Sequence, residues 1–284
     1  MSRWVAGLVA LAAGVLVAGC ATTVVGQASP ASGASGSDGD AAVEPEIGTC
    51  RLIAEEQIDD PRNPPDEVDC AQEHNAETAE VDDSGLGADD TYPTEADLEV
   101  EDGVVATALE DVCTFDLLTQ YLGGDDLDEP YAFFAPYLPS EAEWEAGARW
   151  VRCDVFYGYF RPETAPAPLA GGLDGPEAAA FRACYFGTPI TWDVGPCSRP
   201  HDAEPIGASA DVPEGTPYPA DQAARRALAT QCADDAGAYL GGPVSSEYLL
   251  DVYVGSGSDW ESGPIAECVL VPAAGGRTST SARD

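Results

Sequence analysis

The alternation of apolar and polar residues divides the chain into elements that occur in the same order in its two halves. In the first half, short extended runs between residues 47 and 81 are followed by an apolar stripe with helical spacing, which stops at Gly123-Gly124. The stripe consists of Val105, Leu109, Val112, Cys113, Leu117 and Tyr121. In the second half the corresponding stripe consists of Leu228, Cys232, Ala236 and Tyr239. Period-2 alternation then predicts a closing strand in each half, at 150–159 and at 265–271.

A motif of eight residues also occurs twice. Residues 70–77 and 197–204 share the pattern C-x-x-x-H-x-A-E, and together they contain both histidines of the protein. Around each octet, cysteines, a Tyr-Pro pair, a Tyr-Leu-Gly-Gly run and a Trp-Glu-x-Gly run follow in the same order. An internal repeat of this kind is a strong guide to architecture, and it predicts two copies of one small module.

These patterns predict an α+β protein with two tandem disulfide-stapled modules, each a small, mainly antiparallel sheet packed with one helix. The first module is expected at 46–160 and the second at 179–272. The Pro/Ala/Gly-rich stretch 161–178 is expected to be a linker, and the tail 273–284 is expected to be disordered.

The N-terminus has the layout of an export signal. Residues 1–19 combine a positive charge, an apolar run that is too short to span a membrane, and small residues that lead to Cys20. The sequence Val17-Ala18-Gly19-Cys20 resembles a lipobox, which implies that Cys20 is diacylated, palmitate included, and becomes the first residue of the mature chain. The alternative is an ordinary signal peptide with an incidental cysteine. Residues 20–45 are expected to form a flexible tether, which would place the modules on the extracytoplasmic face of the cell membrane.

The cysteine count is consistent with export. Of nine cysteines, Cys20 has no counterpart, and the other eight fall four to a half, which predicts two disulfides per module in an oxidising compartment. These eight are Cys50, Cys70, Cys113, Cys153, Cys184, Cys197, Cys232 and Cys268. Four cysteines allow three pairings. The short spacing from Cys184 to Cys197 favours first with second and third with fourth.

The charge limits the partners. Twelve arginines and no lysine stand against 51 acidic residues, for a formal net charge of −39. Such a chain repels nucleic acids and anionic lipid headgroups, so the acyl group is expected to be its one contact with the membrane.

The octets contain metal-ligating residue types in His74, Glu77, His201 and Glu204, and zinc accepts cysteine, histidine and glutamate. Paired cysteines in an exported protein are oxidised, however, and in a regular strand His74 and Glu77 would point to opposite faces. We therefore expect a structural role for the four residues, with no metal, no cofactor and no catalytic residues. Both histidines belong to the repeated motif and no G-x-S-x-G run is present, which disfavours a serine hydrolase.

The repeated tryptophans are expected to be core, and the aromatic insert 131–137 is the better candidate for an exposed interaction surface.

The order of Gly-x-Cys, Cys-x-x-x-His-x-x-Glu, a helix-borne cysteine, Trp-x-x-Gly and a closing cysteine strand resembles the septum formation domain. In the first copy it comprises Gly48, Cys50, Cys70, His74, Glu77, Cys113, Trp144, Gly147 and Cys153. In the second it comprises Cys184, Cys197, His201, Glu204, Cys232, Trp260, Gly263 and Cys268. The second copy departs from the first in having Arg182-Ala183 before its first cysteine.

The resemblance, which covers nearly all of 46–272, implies an exported protein or lipoprotein of high-GC Gram-positive bacteria with a role in division septum formation, and it supplies no catalytic residues. The expectation is thus a non-catalytic binding or structural module whose partner is an envelope or division protein or a wall glycan. The alternative is an envelope enzyme or metal-dependent binder that acts on cell-wall components.

Overall fold

The computed structural model describes residues 43–100 and 102–283. The predicted signal peptide, Cys20 and nearly all of the predicted tether lie outside these ranges. Within them, no helix combines the length and the apolar character that a membrane span requires.

The first half forms a five-stranded antiparallel sheet with helices before and between its later strands. The strands are β1 (Cys50–Arg51), β2 (Glu67–Val68), β3 (Ala76–Asp83), β4 (Ala132–Tyr137) and β5 (Trp150–Tyr157). The helices are α1 (Glu95–Leu98), α2 (Val104–Val112), α3 (Phe115–Tyr121) and α4 (Glu141–Glu145). The strand order is β2-β1-β3-β5-β4, which leaves β4 at one edge.

The second half repeats this arrangement. Its strands are β6 (Ala183–Thr188), β7 (Thr191–Pro196), β8 (Glu204–Ser209), β9 (Tyr248–Tyr253) and β10 (Glu267–Pro272). Its helices are α5 (Ala178–Phe181), α6 (Gln222–Ala229), α7 (Ala233–Tyr239) and α8 (Gly257–Ser262). Strands β6 and β7 pair, β8, β10 and β9 form a three-stranded sheet in that order, and a bridge between Tyr185 and Ala203 joins the two. The mixed α+β fold expected from the sequence is confirmed.

The single helix expected in each half is interrupted at the third cysteine. In the first half α2 ends at Val112, and the chain is extended at Cys113 and Thr114 before α3 begins. The hydroxyl of Thr114 then accepts a hydrogen bond from the Leu117 amide, so Thr114 acts as an N-cap inside the predicted stripe. In the second half a 3₁₀ turn, Thr230–Cys232, separates α6 from α7.

Among the described residues each half contains two disulfides, and none connects the halves. The bonds are Cys50–Cys70, Cys113–Cys153, Cys184–Cys197 and Cys232–Cys268. The first bond of each half crosslinks the strand before the octet to the octet itself. The second crosslinks the helical layer to the closing strand, and its cysteines are buried in the hydrophobic core of their half.

Two segments that lack a strong sequence pattern are packed rather than free. In the stretch expected to be a linker, Leu169 and Leu173 are buried against the first-half core, and the Leu173 amide donates to the Leu122 carbonyl. In the tail expected to be disordered, Thr278 pairs with His201 through two backbone hydrogen bonds, and Ser281 is buried. Both expectations are therefore corrected. Composition indicated flexibility, whereas each segment is held by partners that only the folded half supplies.

The two halves also contact each other directly. Leu127 packs against the second-half core, whereas Phe181 belongs to the first-half core. Asp128 is buried between Arg182, at 3.0 Å, and Arg283, at 2.8 Å. The cores and the ion pairs thus extend across the boundary that the sequence places at 161–178.

Candidate functional site

The histidine of each octet lies just before a strand, in a turn that fixes its ring. Nδ1 of His74 is 2.9 Å from the Gln72 carbonyl, and Nδ1 of His201 is 2.9 Å from the Arg199 carbonyl. A carbonyl oxygen can only accept, so Nδ1 carries the proton in both rings. Nε2 of each ring is buried and has no hydrogen-bond partner.

The glutamate of each octet is the acceptor at the centre of a cluster. Glu77 accepts from the Tyr121 hydroxyl at 2.7 Å and from the Leu169 and Ala170 amides at 2.9 and 3.2 Å. Both amides belong to the stretch that was expected to be a linker. A charged acceptor with three donors is a strong anchor, because each such bond contributes about 1.5–3 kcal/mol.

The second half reproduces the cluster with different donors. Glu204, which is 1% exposed, accepts from the Tyr239 hydroxyl at 2.5 Å, the Ser281 hydroxyl at 2.8 Å and the Ala282 amide at 2.6 Å. The last two donors belong to the C-terminal segment. In both halves, therefore, the octet glutamate connects a tyrosine on the second helix to the segment that follows the closing strand.

The tyrosines remain donors at all ordinary pH values. Burial, together with the adjacent Glu77 carboxylate, raises the pKa of Tyr121, and burial with Glu204 does the same for the pKa of Tyr239. These two residues end the predicted helical stripes, and the sequence pattern gave them no role beyond the apolar stripe. The repeated Tyr-Leu-Gly-Gly run was the signal that they share a role.

The structure corrects one argument from the sequence. Period-2 alternation placed His74 and Glu77 on opposite faces, but β3 begins at Ala76, so His74 is not part of the strand. Its Nε2 lies 3.7 Å from Oε1 of Glu77, too far for a hydrogen bond but near enough for charge attraction if the ring is protonated.

The same geometry tests the metal hypothesis. One ligand atom each of Cys50, His74 and Glu77 lies within 4.8 Å of the others, and Cys184, His201 and Glu204 form an equivalent group. Both cysteines are in disulfides, so neither offers a thiolate, and the carboxylates already accept three hydrogen bonds each. Each group thus retains a single uncommitted nitrogen, Nε2 of its histidine, which is a poor basis for a metal centre while the disulfide is intact.

The repeated tryptophans have structural positions. Trp144 and Trp260 are 4% and 6% exposed, and each indole N–H donates to a backbone carbonyl in the loop before the helices. Each also makes an edge contact with the tyrosine of the repeated Tyr-Pro pair, Tyr92 or Tyr218. The prediction that they are core is confirmed.

The aromatic insert 131–137 is only partly a surface feature. Tyr131 and Tyr137 are buried, and the segment forms β4, whose counterpart in the second half is β9. It is therefore a repeated strand and not an insert. Phe133 and Phe134 are half-buried, pack against the buried cores and contact the exposed ring of Phe115.

A comparison with protein families gives one match, to the family described as Septum formation, over residues 19–265. The match spans the first half and most of the second, including the octets and the tyrosines Tyr121 and Tyr239, and it ends before β10 and the C-terminal segment. The chain belongs to the septum formation family. No curated protein and no solved structure matches it.

Proposed function

We propose that this protein is a lipid-anchored module on the extracytoplasmic face of the cell membrane, where it acts in septum formation by binding another envelope component rather than by catalysis. Membership of the septum formation family supports the link to division. Four disulfides support an oxidising compartment, because cytosolic thiols are kept reduced. The module is proposed as a tandem pair of similar halves, which the repeated strand order supports.

The observation that carries the non-catalytic assignment is how the repeated polar residues are used. In each half the octet glutamate accepts three hydrogen bonds, from a tyrosine and from the chain segment that closes the same half. A catalytic carboxylate needs access to substrate, whereas Glu77 and Glu204 are 4% and 1% exposed. We infer that both clusters are locks that hold a rigid scaffold together.

Anchoring is tested at Cys20. The wild-type protein should fractionate with membranes, and mass spectrometry should find diacylglycerol on Cys20 as the first residue of the mature chain, whereas Cys20→Ala should carry no acyl group. A wild-type protein that starts at Cys20 without an acyl group, or that keeps residues 1–19, would contradict the lipid anchor. An epitope tag for fractionation and for septal localisation is best inserted near residue 35, because the C-terminal segment is packed in the fold.

A thiol and metal assay separates the proposal from its alternative, an envelope enzyme or metal-dependent binder. The purified, unreduced protein should show no free thiol among the eight paired cysteines and no stoichiometric zinc. About two free thiols per half together with bound zinc would favour the metal-dependent alternative.

A further inference from the structure

A groove on the surface is lined by residues from both halves. It has a volume of about 440 Å³, within the range of small-ligand and peptide side-chain sites. Its walls come from α3, the loop and strand around Glu129 and β4, the chain just after β5, and Gly207 in β8. None of these residues takes part in the two locks, so the groove is a separate feature.

One wall of the groove is aromatic and exposed. Phe115 is 64% exposed and Phe160 is 59% exposed, and the ring of Phe133 lies between them with centroid distances of 5.8 and 4.8 Å. Tyr159 makes an edge contact with Phe160 at 4.5 Å. Water-exposed phenylalanine rings that contact one another are uncommon on a soluble surface and indicate a binding function.

The lining of the groove is also acidic. Asp116, Asp126 and Glu129 line the groove, and none of the three belongs to an ion pair among the described residues. By contrast, the neighbouring Asp128 is neutralised by Arg182 and Arg283. Burial, reinforced by the nearby Glu267 carboxylate, raises the pKa of Glu129 to about 7, because this carboxylate has lost water without gaining a cation.

We propose that the groove binds a basic peptide segment of a partner protein, with an arginine or lysine side chain between the aromatic rings and the three carboxylates. Aromatic faces attract cations, and a guanidinium stacks on a ring while it donates to carboxylates. A cation is favoured over an uncharged glycan because it supplies the counter-charge that Glu129 lacks. A second copy of this chain is disfavoured by its net charge of −39. The inference rests on the proposed binding function and names the chemistry of the partner.

The test is calorimetric titration of the purified full-length protein with acetylated, amidated triarginine. Tricitrulline is the matched peptide, because citrulline keeps the planar shape of arginine without its charge. The substitutions are Glu129→Gln, Asp126→Asn and Phe160→Gly. Phe160 has a φ of +58°, a conformation that glycine adopts freely, so the glycine variant removes the ring without straining the fold. Glu110→Gln, on the exposed face of α2, controls for the loss of one charge elsewhere.

Triarginine is expected to bind one to one, at least about tenfold more tightly than tricitrulline. Each groove variant should weaken triarginine binding by about fivefold or more without lowering the melting temperature, whereas Glu110→Gln should change the affinity less than about twofold. Equal losses for Glu129→Gln and Glu110→Gln would reduce the effect to general surface charge and overturn the proposal. Equal affinities for triarginine and tricitrulline would also overturn the proposal. So would binding of an N-acetylglucosamine oligosaccharide without binding of triarginine. Neither outcome would change the results of the Cys20 and thiol experiments. The proposed groove can therefore be refuted without refuting the proposed function.

Discussion

Glu129 is expected to make the protein less stable as the pH rises, which is the reverse of the effect of a salt-bridged carboxylate. Burial raises the pKa of this group from 4.5 to about 7 in the folded chain. The folded protein therefore holds the proton more tightly than the unfolded chain does. The resulting stabilisation is fully present below pH 4.5 and is lost as the pH rises through 7.

The size of the effect follows from the shift. One pKa unit corresponds to about 1.4 kcal/mol, so the shift of Glu129 corresponds to a loss of up to about 3 kcal/mol between pH 4 and pH 8. Gln cannot ionise. Glu129→Gln should therefore match the wild type at pH 4 and exceed it by up to about 3 kcal/mol at pH 8, or roughly 5–10 °C in melting temperature for a domain of this size.

The assay is urea denaturation of both proteins at several values between pH 4 and pH 8, with Glu110→Gln as the control for the loss of one exposed charge. Glu267 also has a pKa raised by burial, and it contributes to the pH dependence of both proteins. The difference between Glu129→Gln and the wild type isolates Glu129. A difference in free energy of unfolding that stays constant across this pH range would contradict a raised pKa for Glu129 in the folded protein.

Three further substitutions test the scaffold. Asp154→Ala should lower the free energy of unfolding by about 3–5 kcal/mol in urea titration. The substitution leaves the buried Arg152 and Arg51, which lie 2.9 and 3.8 Å from this carboxylate, without a counter-charge. A loss below about 1 kcal/mol would contradict this prediction. The double variant Cys113→Ala/Cys153→Ala opens a loop with a sequence separation of 40 and should cost about 4 kcal/mol by calorimetry, and an unchanged melting temperature would count against that bond. Gly207→Ala should cost about 1–3 kcal/mol in thermal melts, because φ is +58° and the new Cβ would lie 2.8 Å from the carbonyl carbon of Leu127; full stability would show that the halves are not in close contact there.

The repeat explains why much of this fold could be predicted from the sequence. The octets, the cysteine positions and the helical stripes are local patterns, and each is supported by its counterpart in the other half. The edge strands were harder to recognise. Residues 132–137 and 248–253 occupy equivalent places, with Tyr137 and Tyr253 at matching register positions, but the other residues in them differ too much to align.

The ordered structure of the stretch 161–178 and of the tail 273–284 could not be predicted from the sequence. These segments are held by residues that are distant from them along the chain. The C-terminal segment has no large apolar residue, and it is held by Glu204 and by the ion pairs of Arg283 with Asp125 and Asp128. Composition therefore indicated disorder. In the first half, the pair Leu169 and Leu173 was the one apolar signal within a Pro/Ala/Gly-rich stretch.

Similarly, the relation between His74 and Glu77 depends on where β3 begins. A shift of two residues in the start of a strand decides whether period-2 alternation applies, and strand boundaries are the least certain part of a sequence pattern. The groove could not be foreseen either, because its aromatic and acidic walls come from elements that meet only in the folded chain.

We infer that each octet glutamate locks its own half by holding the segment that follows the closing strand. Hydrogen exchange at single amides of the wild type, Glu77→Gln and Glu204→Gln measures how firmly these segments are held. Glu77→Gln should speed exchange of the Leu169 and Ala170 amides by about 10- to 100-fold and leave Ala282 unchanged, and Glu204→Gln should do the reverse. Unprotected amides at these positions in the wild type, or equal rates in all three proteins, would contradict the lock.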